Sequence, residues 1–284
     1  MQMTDSCHCF RSLPFVLLVV LLTVLPLPGI AQRTVWSLPQ HNETVRTGSV
    51  AIGNASARDT YLSASSYDGW ELGFEHDSWR GFRPDRLFNT GRVHSSLLFS
   101  PMTNRLNGGM TYQFAGSVYM AGLWQAVDCS MCDLLVGPAA MMNLSVLWNL
   151  QNSNNPANGD GYLAAGVCVD NTFRFSLARY PMALQATFYM PLAGVGIAPD
   201  YDLPYWFVYR YGEYGKVLHF ITPFNNTAFT QQVALILPVH NARLRIGYSL
   251  DFMENRLGGH YSRLLNGAFT LGYAVRLQTK EWRR

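Results

Sequence analysis

From Leu265 to Leu277 one parity of the chain reads Leu265, Gly267, Phe269, Leu271, Tyr273, Val275 and Leu277. The other parity reads Asn266, Ala268, Thr270, Gly272, Ala274 and Arg276. Side chains on a strand point to opposite faces at every second residue. The segment therefore predicts a strand with one greasy face and one small or polar face. The same alternation recurs from Trp70 to Glu75, Met110 to Ala121, Met142 to Leu150, Leu163 to Leu177, Met182 to Met190, Val233 to Leu237 and Leu244 to Phe252. Segments of about 10 residues with this pattern are the signature of an antiparallel membrane barrel, lipid outside and a polar interior within. No segment carries a strong helical period.

The N-terminus has a different character. Arg11 precedes an apolar run from Phe15 to Leu27, and Gly29 and Ala31 supply small residues at the −3 and −1 positions of a cleavage site. The run is too short for a transmembrane helix. It predicts a cleaved signal peptide over residues 1–31. Residues 32–58 then form a lead and a candidate first strand, and residues 59–284 the barrel. Arg11 and Asp5 leave together, so processing does not alter the net charge of +3. That charge is too small to predict a nucleic-acid partner. A secreted soluble β-sandwich fits the same composition and stands as an alternative.

The breaks between strands come in two kinds. Arg179-Tyr180-Pro181 and Pro238 to Ala242 are tight, whereas Asn152 to Asp160 and Glu254 to His260 are longer and polar. Barrels of this type have short periplasmic turns and longer outer loops, which places the latter two outside. Cys129 and Cys132 then fall in an inner turn. Their C-x-x-C spacing makes them a candidate local disulfide or a pair of free thiols. No second C-x-x-C follows, so no metal is expected, and no cofactor motif is present. The segment Gly194 to Thr227 reads as two further strands or as one large outer loop. Closure of such a barrel needs an even number of strands, and twelve are expected, with ten as the fallback if the segment is one loop.

The polar parity places Glu71, Glu75, Arg243, Arg245, Asp251 and Arg276 inside the barrel. A charge facing lipid at mid-depth costs about 2–4 kcal/mol, so the lumen is their natural place. The last strands close onto the first, which predicts pairing of Glu71 and Glu75 with Arg243, Arg245 or Arg276. The expected interior is a charge-paired, largely filled lumen with small or absent conductance. His94 and Ser96 share a strand face, a spacing that resembles the His-x-Ser pair of outer-membrane phospholipases, with Asn104 or Asn107 as the orienting group. The lipid-facing residues Val93, Leu97 and Phe99 turn both inward, against that reading. Arg80, Arg83, Arg86 and Arg92 cluster between Trp79 and Arg92. Arginine suits phosphate groups on lipid, and a solvated periplasmic loop is the plainer alternative.

Five motifs occur in one order: Asp59-Thr60-Tyr61-Leu62-Ser63 with Tyr67-Asp68-Gly69; Asn152 to Asn158; Met190 to Val195 running into Ala198-Pro199-Asp200-Tyr201; Thr222-Pro223-Phe224-Asn225; and Leu244-Arg245-Ile246-Gly247-Tyr248. Together they resemble a family of Bacteroidota envelope proteins known as domain-of-unknown-function 3316. The resemblance spans about Asp59 to Leu277 and implies an outer-membrane barrel in a diderm, Gram-negative bacterium. It carries over no catalytic residue. The expected role is structural or that of a narrow passive channel, with an envelope lipid hydrolase or lipid-modifying enzyme as the alternative. The expected partners are outer-membrane lipid and the barrel assembly machinery, with no solute specified.

Overall fold

The computed structural model describes residues 36–83, 86–152, 156–200, 203–239 and 242–278. The signal peptide expected over residues 1–31 lies outside the described residues. The strands are β1 (Glu43–Asp59), β2 (Ser63–Gly81), β3 (Thr90–Thr103), β4 (Met110–Asp128), β5 (Cys132–Asn149), β6 (Ala157–Leu177), β7 (Tyr180–Ile197), β8 (Leu218–Ile221), β9 (Asn226–Val239), β10 (Ala242–Asn255) and β11 (Ser262–Gln278). Among the described residues a short helix, α1 (Tyr205–Tyr211), and a 3-10 turn (Tyr214–Lys216) precede β8.

Sequence neighbours pair antiparallel from β1 through β7, β7 then pairs with β9, and the series runs on to β11. β11 returns to β1 along its whole length, from Glu43↔Gln278 to Asp59↔Ser262. Ten strands among the described residues therefore form a closed antiparallel barrel. Closure leaves no sheet edge, and this rules out the two-sheet sandwich. β8 lies outside the ring and pairs only with the far end of β7, from Gly194↔Ile221 to Ile197↔Leu218. The smaller strand count holds because β7 pairs with β9 only as far as Tyr189↔Thr230. Beyond that point the chain makes an excursion through α1 and β8 before β9 begins. The candidate first strand between residues 32 and 58 corresponds to β1, a full wall strand from Glu43 to Asp59.

The alternation sorts side chains as its period requires. Leu97 (68% exposed) and Phe269 (73%) point outward, and Ala268 and Ala274 point inward. Exposed Trp70 and Trp148 lie toward one end of the outer wall, and exposed Trp124 and Tyr273 toward the other. From Trp70 to Arg80 on β2 is about ten residues, the length of a membrane-crossing strand. Aromatic belts at two levels are what a bilayer's interfaces select.

The two rims differ. Glu43 and Gln278 mark the termini end, where β4–β5 and β6–β7 are joined by residues 129–131 and 178–179. The second is a two-residue hairpin turn with Ala178 at φ 48° and Arg179 at φ 69°. Two positive φ values match the twist of the flanking strands. The opposite rim carries residues 60–62, 104–109, 150–156, 198–225 and 256–261, against which the termini rim has one long connection, 82–89.

Candidate functional site

A barrel of this size has an interior that side chains can fill. Arg92 on β3, only 1% exposed, reaches across it from the termini side. Its Nε and Nη2 donate to Asp77 Oδ1 on β2 at 3.1 and 2.7 Å. Nη1 donates to Asp170 Oδ2 on β6 at 3.0 Å and to Thr187 Oγ1 on β7 at 2.5 Å. Nη2 also donates to Gln232 Oε1 on β9 at 3.0 Å. Arg245 on β10 donates from Nη1 to Asp77 Oδ2 at 2.8 Å. One planar fork thus ties together five of the ten wall strands, a task for which five fixed donors suit arginine, and Arg245 adds β10 as a sixth.

Register explains the convergence. Asp77 pairs with His94, and His94 with Tyr119, along one side of the lumen. Asp170 pairs with Thr187, and Thr187 with Gln232, along the other. Arg92 reaches from the first row to the second. Rings complete the seal: Arg92 lies 4.4 Å from the Trp79 centroid, and Tyr119 and Tyr189 stand 5.1 Å apart. On the loop side of this knot is a cavity of about 30 Å³, lined in part by Gln113, Asn143, Tyr162 and Asp251. That is room for about one water molecule.

The six charges expected in the lumen do not form one network. Arg245 joins the knot. Glu75 Oε2 accepts from Gln232 Nε2 at 3.3 Å, and Asp251 Oδ1 accepts from Thr230 Oγ1 at 2.5 Å. Glu71 is buried toward the loop side, and its Oε2 has no hydrogen-bond partner. Arg243 lies over the Trp36 ring at 5.5 Å, and Arg276 donates to Glu43 Oε2 at 2.9 Å. The predicted pairing of Glu71 with Arg243 or Arg276 fails on register. Glu71 is level with Gly53, Ala268 and Ser249, whereas Arg243 is level with Ala274, Thr47 and Asp77.

The catalytic spacing does not become a catalytic pair. His94 and Ser96 do point inward, but His94 Nδ1 lies 3.3 Å from Asp77 Oδ1, and Ser96 Oγ bonds Ser117 Oγ at 2.7 Å. Asn104 is engaged in its own turn, accepting from Leu106 N at 2.8 Å, and Asn107 accepts from Gly109 N. A serine nucleophile needs its base within hydrogen-bond reach, and the base here is committed elsewhere. Arg92 is likewise a wall residue and not a loop cation.

Cys129 and Cys132 are free thiols in this structure. Their turn is closed by Cys129 N donating to Cys132 O at 2.9 Å. Cys132 Sγ donates instead to Asn171 Oδ1 on β6 at 3.1 Å.

The termini end is stopped by the lead. Trp36 is buried, packed edge-on against Trp79 at 6.3 Å. Arg174 Nε donates to Trp36 O at 2.6 Å while its Nη2 pairs with buried Asp133. Arg276 Nη2 donates to Ser37 O at 2.6 Å. Sequence reasoning missed Trp36, Asp77, Asp133, Asp170, Arg174 and Gln232. The available signal was parity: Asp77 continues the Glu71–Glu75 face, and Asp170 and Arg174 share a face on β6.

At the loop end His260 is buried in loop 256–261, its Nε2 4.0 Å from Asp160 Oδ1. Asp59 lies nearby, held by Asn158 Nδ2 at 2.5 Å. Burial opposes charge on His260, but Asp160 and then Asp59 more than offset it, so its pKa rises above the usual imidazole value. Its contribution to stability is complete below the ordinary imidazole pKa and is lost as pH rises through the elevated one. Urea midpoints measured from about pH 5 to about pH 9 should fall more steeply in the native chain than in His260→Gln. Parallel profiles would contradict this.

Fold and interior together define an outer-membrane-type β-barrel whose lumen is filled by its own ion pairs. The chain belongs to the family described as "Protein of unknown function (DUF3316)", which matches residues 15–283. No curated protein matches it. Among solved structures it is similar to the outer membrane protease OmpT from Escherichia coli, at 10% identity over 87% of this chain and 100% of that one, with a TM-score of 0.46. It is also similar to the translocator domain of the autotransporter NalP from Neisseria meningitidis, at 8% identity over 94% and 95%, TM-score 0.39. A third is the transport unit of the autotransporter AIDA-I from Escherichia coli, at 9% identity over 94% and 97%, TM-score 0.41.

Proposed function

We propose that this chain is a sealed structural barrel of the outer membrane of a diderm bacterium, of Bacteroidota origin, and not a channel or an enzyme. It is exported by the signal peptide at residues 1–31 and inserted by the barrel assembly machinery. The observation that carries the reading is the Arg92 knot, in which a side chain from one wall is bonded to the opposite wall across the lumen. The lead around Trp36 adds a second stop at the termini end. The apolar outer band and the two aromatic levels support a bilayer setting. The unequal rims support an orientation with the termini in the periplasm.

Liposome swelling tests the reading. Vesicles carrying the purified, heat-modifiable barrel should swell in small sugars and amino acids at the rate of protein-free vesicles. Swelling at porin-like rates overturns it.

A further inference from the structure

The arginines of the β2–β3 connection have no part in the lumen. Phe82 at one end of the connection, and Leu87 and Phe88 at the other, lie back against the outer wall. Two outward glycines make this contact. A Cβ at Gly91 would lie 2.7 Å from the Phe82 ring, and one at Gly122 would lie 2.6 Å from the Phe88 ring. Phe88 also packs on exposed Trp124 at 4.9 Å, and Trp124 Nε1 donates to Leu87 O at 2.6 Å. The loop is thus fixed at the termini-side aromatic belt. There Arg80, Arg83 and Arg86 line a pocket of about 690 Å³ with Phe82 and Leu87. Among the described residues neither Arg80 nor Arg86 is paired with a carboxylate.

Above this pocket the outer wall is indented. A groove of about 890 Å³ runs over β2–β5 between Phe74, Leu97, Phe114 and Leu144, shallow-walled at Gly116. His76 and Ser95, a cross-strand pair, line it. His76 falls between Arg80 and Phe74 on β2, with Ser95 opposite it on β3. The order along the wall is cation cluster, polar step, apolar groove. An anionic phospholipid has the same order: phosphate, glycerol esters, acyl chain.

We infer that the outer wall of β2–β4 at the termini end holds one anionic phospholipid, its phosphate on Arg80, Arg83 and Arg86 and an acyl chain along the Phe74–Leu97–Gly116 groove. Charge complementarity selects the occupant, since the guanidinium groups of Arg80 and Arg86 beside a membrane, joined by Arg83 from its Nε bond to His41 at 3.1 Å, suit a phosphate. The inference rests on the orientation given above, which puts this rim in the phospholipid leaflet.

Native mass spectrometry of the folded barrel from a neutral detergent tests it, with phosphatidylglycerol and phosphatidylcholine supplied equally. One phosphatidylglycerol should be retained in preference. Arg80→Gln/Arg83→Gln/Arg86→Gln should lower its retention at least tenfold, with heat-modifiable gel migration unchanged. Gly116→Trp should lower lipid retention without touching the arginines. Equal retention of the two lipids, or a triple variant that retains lipid like the native chain, overturns the inference. Displacement by inorganic phosphate at low millimolar concentration also overturns it, by making free phosphate the ligand. Preferential retention of lipopolysaccharide would do the same. Solute leakage with lipid retention intact would instead count against the sealed-barrel reading alone. If the triple variant misfolds, Gly116→Trp and the two-lipid comparison still decide the question.

Discussion

Arg92→Leu lowers the stability of the barrel by about 3–5 kcal/mol, the cost of leaving buried charge without its partner. The loss is uneven across the knot. Asp77 keeps Arg245 at 2.8 Å and His94 at 3.3 Å. Asp170 keeps only neutral donors, Thr187 at 2.6 Å and Gln185 at 3.2 Å. Most of the damage is therefore assigned to Asp170. Adding Asp170→Asn to Arg92→Leu should recover part of the loss, whereas two independent sites would add. The measurement is the urea midpoint of the folded band on unheated gels. A midpoint for Arg92→Leu within about 0.5 kcal/mol of native, the range of ordinary surface changes, would contradict the account.

Arg174→Leu has the second large effect, at about 3 kcal/mol by the same reasoning, and it acts at the termini end. Asp133, buried on β5, would be left with Gln125 Nε2 at 3.3 Å. The variant also deletes the donor to Trp36 O and so frees the lead. A thiol introduced by S37C in a C129S chain should then react faster with a membrane-impermeant maleimide than in the same chain with Arg174 intact. Adding Asp133→Asn should restore stability without slowing the labelling. Unchanged labelling would mean that the lead is held by Arg276 and Trp79 alone.

Much of the wall is legible in the sequence. Period-two alternation named the outward residues, because lipid rewards apolar side chains at every second position whatever their neighbours. Turn composition separated the two rims for equally local reasons. The lumen was less legible. Glu71 and Arg243 have the right parity but stand at different levels, and level depends on register across three strands, which no single strand encodes. Arg92 was grouped with the loop arginines because the stretch from Trp79 onward mixes strand and turn. Its own parity with His94 and Ser96 was the cue that assigns it inside. Its partners Asp170, Thr187 and Gln232 lie far along the chain, and only ring closure at ten strands brings them within reach. The stretch Gly194 to Thr227 misled because its aromatic residues suit a strand, whereas they serve a loop with a short helix and one outer strand. Trp36 carries no periodic signal, since a lead that enters a lumen is placed by single contacts.

The central claim is that the lumen is closed by its own side chains, and planar-bilayer recording of the purified native barrel tests it most directly. Inserted protein should give a baseline without stable open steps, and Arg92→Ala/Arg245→Ala, which removes both guanidinium groups from the knot, should be the variant in which steps first appear. Large, stable, porin-like steps from the native protein would contradict the account.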